Sequence, residues 1–133
     1  MSSAVKAVRS LLAHNAALTA IVPAERIVAG LLGPGATLPA LTIVHISTSR
    51  RPTVKKGVTD FCTSRVQVTV HAKTYPDQDA VQRLARKALP PTRGSVNGVD
   101  VDSIQDGGTG PDITDADAGI YMGTDDFIVT FNE

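Results

Sequence analysis

The chain has 133 residues, of which 42% are hydrophobic and 4% aromatic, and its formal net charge is zero. This length is usual for one domain and allows a core without disulfides, while the lone cysteine, Cys62, excludes an internal disulfide. No apolar run approaches the roughly 18 residues of a membrane-spanning helix, and Lys6 and Arg9 interrupt the N-terminal apolar pattern where a signal peptide would need an apolar core. The composition predicts a single domain, residues 1–133, made in the cytosol.

The charges are divided unevenly along the chain. Residues 1–93 hold all 13 Lys and Arg and 4 acidic residues, a net +9, whereas residues 94–133 hold the other 9 acidic residues and no Lys or Arg, a net −9. Either the fold brings the two segments together so that they neutralise each other within one molecule, or a basic edge of one subunit meets an acidic edge of the next. Specific nucleic-acid binding is not expected, because no aromatic residues are interleaved with the basic ones and nine acidic residues oppose phosphate.

The N-terminal half of the sequence predicts one helix and two strands. Apolar residues recur at helical spacing over residues 4–12. A strand is predicted over about residues 38–48, where apolar residues occupy both faces, and a clean alternation of apolar and polar residues predicts a second strand over about residues 62–73. The segment between these strands, residues 49–60, is polar and basic, and we expect it to form a loop.

The C-terminal half predicts a second helix and further strands. A proline and acidic residues open the helix at residues 75–77, and two prolines follow it at residues 90–91. Its expected inner stripe consists of Ala80, Val81, Leu84, Ala85, Ala88 and Leu89. Short strands are expected around a hairpin signal, Asn97-Gly98, followed by a long Gly- and Asp-rich loop over residues 106–119 and a final strand over residues 120–131. The order predicts an α+β fold, an antiparallel or mixed sheet of about four main strands with two helices packed on one face.

No set of residues with catalytic or metal-ligating spacing is found in the sequence. His14, His45 and His71 fall on the predicted helix and two strands without ligand spacing to one another. Nucleophile, phosphate-loop and zinc-protease motifs are absent from the sequence. The sequence therefore predicts no enzyme, with no catalytic residue, no cofactor and no bound metal.

The Gly- and Asp-rich segment is the one motif that suggests a ligand. Residues 107–112, GGTGPD, match the first six positions of a calcium-binding repeat, but a single copy cannot form the stacked roll that such repeats build. Asp112, Asp115 and Asp117 would hold a cation only loosely, because no glutamate anchors them. We expect this segment to be a surface loop.

Three local patterns stand out once the elements are ordered. A strand opens with LPALTI at residues 38–43, a second strand runs into a helix through a Tyr-Pro pair at residues 75–76, and the closing strand contains Tyr121 and the pair Asp126-Phe127. Behind an N-terminal helix, this order resembles the tail completion and tail terminator proteins of long-tailed bacteriophages and gene transfer agents. The resemblance covers nearly the whole chain.

The resemblance implies a structural virion protein, a tail terminator whose copies form a ring, commonly a hexamer, at the head-proximal end of the tail tube. Such a ring stops tube polymerisation and gives the head-tail connector, a neck protein, a surface for head docking, with DNA passing through its centre and no membrane involved. The protein would be assembled in the host cytoplasm and reside in the tail or neck of the virion. The alternatives are another neck component, such as a head-tail adaptor or stopper, and a small metal- or ligand-binding module.

A ring is built from unlike patches, one on each side of the subunit, and patches of opposite charge would also penalise reversed docking. We predict that two charged segments contact a neighbouring subunit or a partner protein. The residues of the basic segment are Arg50, Arg51, Lys55 and Lys56, and those of the acidic segment are Asp112, Asp115 and Asp117. The alternative for both segments is solvated surface.

Overall fold

The computed structural model describes residues 2–33, 35–51, 61–91 and 93–132. In chain order, the elements are α1 Ser3–Ala13, α2 Ala16–Thr19, a 3₁₀ turn Ala24–Arg26, β1 Ile27–Ala29, β2 Ala40–Arg51, β3 Phe61–Ala72, α3 Tyr75–Ala88, β4 Gly94–Val96, β5 Val99–Thr109, β6 Ile113–Asp115 and β7 Ile120–Asn132. None of the described helices is long and apolar enough to cross a membrane.

The strands form one mixed sheet in the order β1-β2-β3-β7-β5-β4, with β6 pairing beside β7. β1 runs parallel to β2, and every other described pair is antiparallel. β3 and β7 are the central strands and pair along their whole length, from Phe61 with Asn132 to Ala72 with Tyr121. The register between these two strands therefore determines the position of every other strand along the strand direction, which we call its height in the sheet.

The face of the sheet that packs against the helices is set by the alternation in β3. Val66, Val68 and Val70 are almost fully buried, while the residues between them are only half-buried. Each buried valine contributes roughly 1.5–3 kcal/mol relative to an exposed one. α1 and α3 cover this face, and their buried residues belong to the same core cluster. The opposite face of the sheet has no helix on it in the described part of the chain.

Local capping explains where the two long helices begin. The Ser2 hydroxyl accepts a hydrogen bond from the Val5 N–H at 3.2 Å, which starts α1. The Thr74 hydroxyl accepts from the Asp77 N–H at 3.2 Å, which starts α3 directly after β3. Arg86 and Lys87 lie in the last turn of α3, where the helix dipole favours positive charge.

The prediction of an α+β fold with a mixed sheet is confirmed, but the predicted count of about four strands and two helices is wrong. The described residues form seven strands and a third, four-residue helix. β1, β4 and β6 have three residues each, which is too short for an alternating pattern to be recognised in sequence. Residues 106–119, expected as a loop, instead complete β5, form β6 and turn into β7.

Candidate assembly interface

The basic residues Arg50 and Arg51 end β2, at the end of the sheet where β3 begins. Arg51 pairs through its backbone with Phe61, the first residue of β3, and Arg50 is exposed. Lys55 and Lys56, the other two predicted contact residues of this segment, lie outside the described residues. The basic segment therefore begins at the end of the sheet where β3 starts.

The acidic residues lie around β6, and all three are exposed. Asp112 precedes β6, Asp115 ends it and pairs with Ile120 of β7, and Asp117 lies in the turn between the two strands. The Ala118 N–H donates to Asp115 Oδ1 at 3.2 Å and closes this turn. The three aspartates therefore form one acidic edge on a β-hairpin, not on an irregular loop.

Asp112 is fixed to the first turn of α3. The Tyr75 hydroxyl donates to Asp112 Oδ2, and Gln78 Nε2 donates to Asp112 Oδ1 at 2.8 Å. These bonds, that of Tyr75 first, lower the pKa of the Asp112 carboxyl, and the same bond raises the pKa of the Tyr75 hydroxyl. No group of three or more potential metal ligands occurs in the described part of the chain.

The histidines have separate, local contacts. His71 Nε2 lies 3.1 Å from the Thr42 hydroxyl, and burial lowers the pKa of His71. The exposed His45 contacts the Thr48 hydroxyl, and His14 bonds within its own helix. The histidines therefore form no shared site.

The length of β3 separates the two predicted contact segments. At its first residue, Phe61, it pairs with Arg51, and at its last residue, Ala72, it pairs with Tyr121, which pairs in turn with Thr114 of β6. The 12 residues of β3 span roughly 36 Å at about 3.3 Å per step. Charges in water are screened over about 8–10 Å, so the end of β2 at Arg50 and Arg51 lies too far from the acidic segment for the two to neutralise each other within one subunit.

Other charges of the two halves do meet within the molecule. Arg65 Nη1 lies 2.7 Å from Asp126 Oδ2, and Arg86 Nη1 lies 3.3 Å from Asp125 Oδ2. Both pairs join a basic residue of the first half to an acidic residue of β7, so the idea of neutralisation within one molecule is confirmed for the centre of the sheet. At the two ends of the sheet, Arg50 and the three aspartates of the acidic segment lie too far apart to neutralise each other.

Two buried glutamines of α3 face β7. Gln78 and Gln82 are 1% and 4% exposed, and Gln82 Nε2 donates to the Thr124 carbonyl at 3.4 Å. Gly123 leaves room for them, because a Cβ at this position would overlap both amide groups. The expected inner stripe of α3 is therefore partly wrong: Gln78 and Gln82 are inside, while Ala80 is exposed.

Asp125 completes this polar seam beside the glutamines. Its side chain is 3% exposed and is bonded by Arg86 Nη1 and by the Thr109 hydroxyl, the latter at 2.5 Å. The seam ties β5, β7 and α3 together and thereby positions the acidic hairpin. Sequence reasoning missed it, although the polar residues Gln78, Gln82 and Arg86 recur every four residues along α3 and so lie on one face of the helix.

A similar fold is found in a chain of a solved virion structure. A chain of the solved structure titled "Virion of native gene transfer agent (GTA) particle" superposes with a TM-score of 0.70 over 99% of this chain and 100% of that chain, at 14% identity. The family model for tail completion protein gp17 matches residues 6–130, and the chain belongs to that family. It is accordingly a structural protein of the phage tail. A search of curated protein sequences finds no match.

Proposed function

We propose that the chain is a tail terminator whose copies form a hexameric ring at the head-proximal end of the tail tube. The ring stops tube polymerisation on one side and gives the head-tail connector a docking surface on the other. The observation that carries the proposal is the separation of Arg50 and Arg51 from Asp112, Asp115 and Asp117 by the length of the sheet.

A ring that joins two different partners needs two different faces. If the strands run along the ring axis, every copy contributes its basic end to one face and its acidic end to the other, so that the two faces have opposite charge. Like charges meeting across a wrong contact cost several kcal/mol, and this disfavours a ring that docks upside down.

Membership in a structural tail family favours assembly over catalysis. The described clefts agree with this. One, of about 640 Å³, contains His71 and Lys73 as titratable residues and otherwise small and apolar residues, and general acid–base chemistry needs groups positioned to exchange a proton.

Deletion of the gene in the phage or gene transfer agent that carries it tests the proposal. We expect overlong tail tubes without heads in electron micrographs, and restoration of normal tails when the purified protein is added during assembly. Tails of normal length together with heads that have lost their DNA would contradict the terminator role and assign the chain to the adaptor or stopper side of the neck.

A further inference from the structure

The sheet has two long open edges in the part of the chain that the structure describes. β1 covers β2 only at residues 41–43, so that residues 44–49 have no described partner strand on that side. β4 covers β5 only at residues 99–101, so that residues 102–109 have none on theirs. An uncovered strand edge presents unpaired N–H and C=O groups, which another strand can satisfy.

The two open edges lie at the same height in the sheet. Two rows of paired residues cross from one edge to the other: Ser47, Arg65, Ile128 and Gln105, and Ser49, Thr63, Thr130 and Ser103. Three antiparallel pairings separate β2 from β5, so these strands run in opposite directions. If a second copy is placed beside the first by rotation alone, its β2 lies antiparallel to the first copy's β5.

The regular stretches of the two edges coincide. The register of β2 shifts between His45 and Ser47, and that of β5 shifts after Val101 and again after Asp106. This leaves regular backbone over residues 47–49 on one edge and residues 103–105 on the other, at matching heights; Arg50 and Arg51 are level with Val101 and Asp100, where β4 covers β5. Irregularities elsewhere along an edge discourage pairing with unrelated strands, so the geometry favours this one alignment.

The charges of the two edges are opposite. β2 ends in Arg50 and Arg51 and contains no acidic residue, whereas the open part of β5 contains Asp102 and Asp106 and no basic residue. Asp102 is 3.9 Å from Arg93, but both side chains are largely exposed, at 42% and 85%, so this pair contributes little. Two β2 edges, or two β5 edges, would therefore repel each other, whereas a β2 edge and a β5 edge attract each other.

Apolar surface lies beside both edges. On β2, Val44 and Ile46 are 38% and 48% exposed. On the helix side of β5, a groove of about 450 Å³ is lined in part by Leu89, Ile104 and Phe127. Covering apolar surface of this kind stabilises a contact by roughly 25 cal/mol per Å², which adds to the main-chain hydrogen bonds.

We propose that the β2 edge of one copy adds antiparallel to the β5 edge of the next copy, so that the sheet continues around the ring. The inference rests on the proposed function, since it names the contact by which that ring closes. The two edges are unlike, which makes the contact head-to-tail. The two edges also lie at the same position along the strand direction. Each copy is therefore related to the next by rotation without translation along the axis, which gives a closed ring and not a filament.

Cysteine cross-linking tests this contact. Ser47 and Gln105 are exposed, level with each other and far apart within one subunit, and the native Cys62 is fully buried. In the double variant S47C/Q105C, a short bismaleimide should produce a ladder of covalent oligomers that ends at the hexamer. Each single variant should remain monomeric on a denaturing gel, and the two single variants co-expressed should give covalent dimers only.

A second pair and a matched control keep the test decisive. The variant S49C/S103C uses the second of the two rows named above and should give the same ladder. The control R83C/K87C, two exposed positions on α3, should give none. If light scattering shows a ring but neither edge pair gives a ladder, the edge contact is wrong and the proposed function stands. If light scattering shows only monomers, with and without tail tubes, both the contact and the ring fail.

Discussion

The centre and the ends of the sheet use opposite charges in different ways. At the centre, Arg86 and Asp125 come from different halves of the sequence and meet in a nearly buried pair beside the α3 glutamines. At the ends, Arg50 and Arg51 at the end of β2 are separated from the acidic β6–β7 hairpin by the full length of β3. In both regions the basic residues come from the first part of the sequence and the acidic residues from the last. The strand register therefore decides whether two opposite charges meet within the subunit and stabilise it, or stay apart and are available to a partner.

The largest effect is expected from removing the central pair. Asp125→Ala leaves the Arg86 guanidinium and the Thr109 hydroxyl without their acceptor, and loss of one member of a buried pair costs about 3–5 kcal/mol. Because Arg86 is 32% exposed, we expect the lower end of that range in the free energy of urea unfolding. The control Asp100→Ala removes an exposed carboxylate and should change it by less than about 0.5 kcal/mol. Equal effects of the two substitutions would show that the pair does not stabilise the subunit.

The fit of the glutamines over Gly123 predicts the next effect. Gly123→Ala places a methyl group against the Gln78 and Gln82 amides, and overpacking of this kind costs about 1–3 kcal/mol in unfolding free energy. Gly33→Ala, where a Cβ meets nothing, is the matched control. Adding Gln82→Ala to Gly123→Ala should recover part of the loss. A strictly additive double variant would contradict the contact.

At the acidic end, a substitution should alter docking and leave the fold intact. Asp117→Lys reverses one exposed charge of the β6–β7 hairpin, so we expect an unchanged melting temperature and ring mass. The association rate with the partner on that face should change several-fold at low salt, and the change should shrink as salt is added. Glu25→Lys makes the same charge reversal at an exposed residue of the 3₁₀ turn and should leave that rate unaltered. An identical response of both variants would remove the acidic segment from the interface.

The smallest effect concerns the anchor of the acidic hairpin. The bonds from Tyr75 and Gln78 depress the pKa of Asp112, so their contribution to stability is present above the ordinary carboxyl pKa and is lost as pH falls through the depressed one. Tyr75→Phe should move the Asp112 pKa, followed by carbon NMR of the carboxyl, back towards its ordinary value. Tyr121→Phe, whose ring lies 6.2 Å from that of Tyr75 between centroids, should not. An unshifted value in Tyr75→Phe would mean that the hydroxyl does not bind Asp112 in solution.

Local patterns predicted the elements that carry their own periodicity. β3 shows its alternation, and α3 its opening proline and acidic residues, within about a dozen consecutive residues. The structure confirms both elements. The short strand β4 was expected from the Asn97-Gly98 hairpin signal and is confirmed. The three-residue strands β1 and β6 escaped prediction because three residues are too few to show an alternating pattern. The inner face of α3 was misplaced because two polar residues are buried on it: Gln82 donates to the Thr124 carbonyl of β7, and Gln78 donates to Asp112.

Which residues belong to the candidate interface was predictable, but their arrangement was not. Composition identifies Arg50 and the three aspartates around β6 as charged segments. Their separation depends on the long-range register of β3 with β2 and β7, and the equal height of the two open edges depends on the same register. No local window of sequence contains that information.

Averaged electron micrographs of the purified protein, alone and bound to tail tubes, test most directly whether copies join head-to-tail through unlike surfaces. The account predicts closed rings of six subunits, with the same ring capping one end of each tube. Two-fold dimers, in which identical surfaces face each other, or single subunits scattered along the tubes, would contradict it.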